Sequence, residues 1–95
     1  SDKSTRRRIN QIAIAFCSVV DRSSYPVARG DFRLKDKNGT AVYFCVDAKW
    51  CRELSNGRMS TNEFLHHIGQ TVSIKEPNGK IVVNPINQDF NKASW

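Results

Sequence analysis

The stretch from Ala28 to Val46, two alternating runs around Asp36-Lys37-Asn38-Gly39, restricts this chain more than any other. On the first run Phe32 and Leu34 share one parity, and Asp31, Arg33 and Lys35 the other. On the second, Val42, Phe44 and Val46 alternate with Ala41, Tyr43 and Cys45. A period of two sends successive side chains to opposite faces of a sheet. Asn-Gly tolerates the positive φ of a tight connection. The stretch therefore predicts an antiparallel hairpin with an apolar face (Phe32, Leu34, Val42, Phe44, Val46) and a basic-aromatic one (Arg33, Lys35, Tyr43). The first face is core, and the second is where a ligand would be met.

The segments around the hairpin predict a barrel. Ile9 to Val20 reads as a first strand, with Ile12, Ile14 and Phe16 alternating with the small or apolar Ala13, Ala15 and Cys17. Such a strand suits burial on both sides or a tightly curved barrel wall. Asp21 to Gly30 is a loop in which Pro26 pushes Tyr25 towards an extended conformation. After the hairpin the period changes. Val46, Trp50 and Leu54 fall at i, i+4 and i+8, a helical face with Asp47 as its cap and Ser55-Asn56-Gly57 as its stop. Ser60-Thr61-Asn62-Glu63 matches a capping box and predicts a second short helix from Thr61 to Ile68, ended by Gly69.

Thr71 to Lys75, with Val72 and Ile74 inward, and Ile81 to Val83 are the last two strands, joined by the turn Pro77-Asn78-Gly79-Lys80. Pro85 ends the last strand, and the tail to Trp95 packs back through Phe90 or Trp95 or frays. Five strands with a helix between the third and fourth form the Greek-key OB-fold barrel, so the expected class is all-β with a short helix. A small SH3-like barrel offers no natural place for that helix. The expected organisation is a basic arm over residues 1–8, an OB-fold domain over 9–86 and a C-terminal tail over 87–95.

Ninety-five residues suffice for one domain. Lys+Arg 15 against Asp+Glu 9 gives a net charge of +6, which favours a polyanionic partner, nucleic acid before membrane. Solubility alone is the bland alternative. No segment approaches the roughly 20 apolar residues of a membrane span, and the polar start lacks a signal-type apolar stretch. Three cysteines, an odd number, do not read as a secreted disulfide framework, so a reducing compartment is expected. Cys17 and Cys45 read as small buried hydrophobes on strands. An enzyme is not expected. His66 and His67 diverge as helix neighbours, Cys45 and Cys51 lack paired metal-ligand spacing, and the glycines stand singly at element ends.

The basic-aromatic set carries the functional expectation. Arg22, Tyr25, Arg29, Arg33, Lys35, Tyr43, Lys75 and Lys80 would converge on one side of such a barrel, around the usual OB groove. Cations follow phosphates and flat rings stack unpaired bases, the combination that single-stranded nucleic acid requires. Asp31 can accept a hydrogen bond from a base and so add specificity, or form a salt bridge with Arg29 or Arg33. For any one cation a solvated surface role is the plain alternative, and for either tyrosine ordinary packing.

The segment Phe16-Cys-Ser-Val-Val-Asp-Arg-Ser-Ser-Tyr25-Pro-Val-Ala-Arg29-Gly-Asp-Phe32-Arg-Leu-Lys-Asp36 resembles the first strand, aromatic loop and second strand of telomeric single-stranded-DNA-binding OB-folds. The protection-of-telomeres family is the one it is most similar to, through Tyr25, Arg29, Gly30, Asp31 and Phe32. That resemblance implies a nuclear protein at chromosome ends, binding the single-stranded overhang with neither cofactor nor catalysis. Two alternatives accompany it: an OB-fold used for protein contacts within a telomere or replication complex, and an RNA-binding OB-fold.

Overall fold

The computed structural model describes residues 3–83. In order, the chain forms α1 (Lys3–Arg22), β1 (Arg29–Lys35), β2 (Ala41–Asp47), α2 (Ala48–Ser55), α3 (Thr61–Gly69), β3 (Ser73–Lys75) and β4 (Ile81–Val83). The strands make one antiparallel sheet in the order β1-β2-β3-β4. An open α/β sheet replaces the expected five-stranded barrel.

The error lies in one segment. Ile9 to Val20, expected as the first strand, lies within the 20-residue helix α1. An apolar run with small residues between satisfies both periods, and here the helical one wins. Ile9, Ala13 and Cys17, at i, i+4 and i+8, are buried, while Ile14 and Val19 stay exposed. Without a first strand no barrel can close. Arg6, Arg7 and Arg8, expected in an arm, are part of the same helix.

Elsewhere the local signals hold. The hairpin keeps the expected parity, with Phe32 opposite Phe44 and Leu34 opposite Val42. Its loop is closed by Asp36, whose Oδ1 accepts from the Asn38 and Thr40 amides, and Gly39 takes the positive φ of 88°. Asp47 caps α2 by accepting from the Lys49 amide. Ser60 and Glu63 form the full capping box of α3. The last turn repeats the logic of the first, with Gly79 at φ 88°. Residues Pro85, Phe90 and Trp95, expected to end or anchor the chain, lie outside the described residues.

The core lies on one side of the sheet. Ile9, Val46, Cys51, Phe64, Leu65, Ile68 and Val72 are fully buried there between the helices and the strands. Phe32 stacks on Phe44 at 5.2 Å and meets Phe16 of α1 edge-on at 5.6 Å. Trp50, on the helical face with Leu54, packs partly buried against the core and stacks on His67 at 5.3 Å. A disulfide joins Cys17 of α1 to Cys51 of α2, leaving Cys45 as the free cysteine. This corrects the expectation of unpaired thiols: α1 is a helix, and its Cys17 comes within a Cα separation of 5.1 Å of Cys51.

Candidate nucleic-acid interface

Strand register arranges the face of the sheet away from the core. Because Leu34, Val42, Ile74 and Val82 point inwards, the odd-numbered neighbours point outwards. Two cross-strand rows result. One runs Lys35, Ala41, Lys75, Ile81, and the next Arg33, Tyr43, Ser73, Val83. Beyond them on β1 and β2 lie Asp31 opposite Cys45, then Arg29 opposite Asp47. The described core packs against the inner face only.

Tyr43 sits at the centre of this surface, half-buried, with the Arg33 guanidinium 5.9 Å from its ring centroid. Lys35 and Lys75 flank Ala41, which is only 3% exposed at that position. Lysine stems lie readily along such small apolar residues while their ammonium groups stay in water. One cation thus sits over the ring and two more lie in the adjacent row, on a surface held by sheet hydrogen bonds.

Arg29 and Asp31 are committed to each other, with Nη2 of Arg29 3.0 Å from Oδ1 of Asp31. The Asp31 hydrogen bond and charge hold the Arg29 pKa above its ordinary value. Asp31 is therefore an ion-pair partner in this structure, the plainer of its two expected roles.

Of the nine residues expected at a binding site, Arg29, Asp31, Arg33, Lys35, Tyr43 and Lys75 share the outward face. Lys80 lies in the turn that leads into β4, next to Ile81 of the first row. Arg22 ends α1 and donates through Nε to the Ser18 carbonyl, on the helical side of the molecule. Tyr25 occupies the α1–β1 loop at 80% exposure, where Ser23 Oγ accepts from its amide and donates to its carbonyl. The groove expected to unite Arg22 and Tyr25 with the hairpin face belonged to a barrel, which the four described strands do not form.

Sequence reading missed Ser73, Cys45, Ile81 and Val83 on this face. Cys45 shares its parity with Tyr43, so alternation alone places it outwards. Ile81 and Val83 are 61% and 69% exposed, the reverse of what a short apolar strand suggests.

Comparison with curated proteins and with solved structures returns no match. A family model described as a domain of unknown function (DUF8159) matches residues 1–78, from α1 to the β3–β4 turn. The chain belongs to that domain family of unknown function.

Proposed function

We propose that this protein binds single-stranded nucleic acid across the open face of its sheet. The observation that carries this reading is the position of Tyr43: a ring on a face that no helix covers among the described residues, with Arg33 over it and Lys35 and Lys75 in the adjacent cross-strand row on either side of Ala41. Cations beside the ring attract phosphate, and the ring offers a base a surface to stack on. An open sheet accommodates splayed bases, whereas a duplex keeps its bases stacked inside and needs a helix or ribbon in its groove. The telomeric assignment rested on a resemblance to OB-folds, and this chain forms an open sheet, so the proposal stops at the single strand.

The Cys17–Cys51 bridge favours a second reading. Disulfides persist in oxidising compartments, where an anionic polysaccharide is an alternative polyanion for the same cations. Such a chain offers charge without bases.

The test is fluorescence anisotropy with a labelled single strand and a duplex of equal length, at two salt concentrations, with sulfated polysaccharide as competitor. The single strand binds tighter and weakens as salt rises. Tyr43→Ala weakens it by roughly 1–3 kcal/mol with little change in salt slope. Arg33→Gln and Lys75→Gln each flatten the slope by about 0.7, one phosphate contact on a single strand. A duplex bound as tightly as the single strand, or an unchanged affinity in Tyr43→Ala, refutes the proposal. Binding of polysaccharide alone establishes the second reading.

A further inference from the structure

We propose that two copies of this chain join edge to edge through β1, in antiparallel register about Phe32, to form one eight-stranded sheet. The inference starts from hydrogen-bond parity. Ala48 donates to the Ala28 carbonyl and Asp36 to the Thr40 carbonyl, so the even residues of β1 are those bonded to β2. Arg29, Asp31, Arg33 and Lys35 therefore turn their N–H and C=O groups to the other edge. Among the described residues no strand pairs with that edge. A seven-residue edge with its hydrogen-bonding groups unpaired is a template for strand addition.

Charge and the length of paired strand together select the register. Hydrogen-bonded pairing of odd residues with odd residues permits two-fold axes at Asp31, Phe32 or Arg33. An axis at Asp31 opposes two aspartates and sets Arg29 against Arg33. An axis at Arg33 opposes two arginines and, although it sets Asp31 across from the partner's Lys35, pairs only five of the seven strand residues. With the axis at Phe32, Asp31 lies across from Arg33 of the partner subunit, and the partner's Asp31 lies across from Arg33. That register also pairs all seven residues. Its cost is at the ends, where Arg29 faces the partner's Lys35, and Asp31 is shared between Arg29 of its own strand and Arg33 of the partner subunit. Opposite charges directly across a strand pair attract, and like charges repel.

The helix above the edge fits the same axis. Thr5 and Arg8 border a small cleft with Leu34 and Asp36, while Phe16 packs on Phe32, so α1 runs antiparallel to β1. Cys17 and Asp21 face α2, through the disulfide and the Ser55 hydrogen bond. Ala15 and Val19, about half a turn away, are exposed on the side of α1 turned from α2, with Val19 54% exposed, and Ile12, partly buried against the protomer core, continues the apolar stripe. A two-fold axis at Phe32 passes near Phe16. It places two α1 helices antiparallel, with Ile12 beside the partner's Val19 and the small Ala15 near the crossing. Backbone parity, strand charge and the helical stripe thus point to one arrangement.

Sedimentation equilibrium on the full 95-residue chain tests it. The chain associates reversibly to a dimer. Asp31→Arg turns two attractive pairs into two repulsive ones and weakens the dimer about tenfold or more. The double variant Asp31→Arg/Arg33→Asp exchanges the charges and restores association. Val19→Arg, at an exposed position that leaves the protomer core untouched, weakens the dimer as well. A chain that stays monomeric at every concentration overturns the proposal, whether a tail segment or solvent occupies the edge. So does a dimer unaffected by Asp31→Arg, or one that the charge exchange fails to restore.

Discussion

Removing the Cys17–Cys51 bridge should destabilise the fold mainly through the unfolded chain. The bond closes a loop spanning 34 residues. On the chain-entropy account such closure removes about 13 cal/mol/K from the unfolded ensemble, or roughly 4 kcal/mol at 25 °C. The two sulfurs lie in a core of small and aliphatic groups, with Cys17 6% exposed and Cys51 fully buried. Reduced thiols behave there as small hydrophobes, so native packing changes little on reduction. In a domain of this size a loss of that magnitude lowers the melting temperature by roughly 15–30 °C. The assay is thermal and denaturant unfolding followed by circular dichroism, with and without dithiothreitol, and on the double variant Cys17→Ala/Cys51→Ala. Alkylation of the unreduced, unfolded chain should modify Cys45 alone. A loss below about 1 kcal/mol, or three reactive thiols before reduction, refutes the reasoning.

Three further outcomes follow from the packing. Phe44→Ala empties a site 3% exposed and stacked on Phe32, and should cost about 3–5 kcal/mol, whereas Tyr43→Ala should leave stability nearly intact; equal losses would contradict the two-faced strand. At Gly30 a Cβ would come within 2.7 Å of the Phe32 ring and 2.9 Å of Phe16, so Gly30→Ala should cost about 1–3 kcal/mol by overpacking, read from chemical denaturation. Hydrogen bonds from the Ser60 backbone amide, with a contribution from its side chain, hold the Glu63 carboxyl below its ordinary value of 4.5. A folded-state pKa below the unfolded one adds stability above the unfolded value and loses it as pH falls through the folded value. The difference in stability between wild type and Glu63→Gln should therefore be steady at neutral pH, shrink below about 4.5 and vanish in stronger acid; a constant difference would exclude the carboxylate as its source.

What the sequence discloses about this molecule depends on how local each signal is. The hairpin, both caps and the glycine turns were legible because a few adjacent residues decide them. The alternation of Tyr43 with Phe44 needed no tertiary knowledge and correctly divided core from outer surface. Ile9 to Val20 failed because its apolar and small residues fit a strand as well as a helix. Only packing against Phe32 and pairing with Cys51 separate the two. That single segment decided between a barrel and an open sheet, and six of the nine expected site residues nonetheless share one face of the sheet. Those six share the hairpin or the strand beside it. Arg22 and Tyr25 depended on where the first segment ran, and they fell away with it. The disulfide was hidden for the same reason, since spacing alone cannot bring Cys17 to Cys51 until α1 lies beside α2.

The measurement closest to the central claim is a titration of the isotopically labelled protein with a short single-stranded oligonucleotide, followed residue by residue by amide chemical shifts. The account predicts that the largest changes fall on the rows Arg33–Tyr43–Ser73 and Lys35–Ala41–Lys75, with the Tyr43 ring resonances moving upfield as a base stacks on it. Changes concentrated on α2 and α3, with those two rows unmoved, would contradict it.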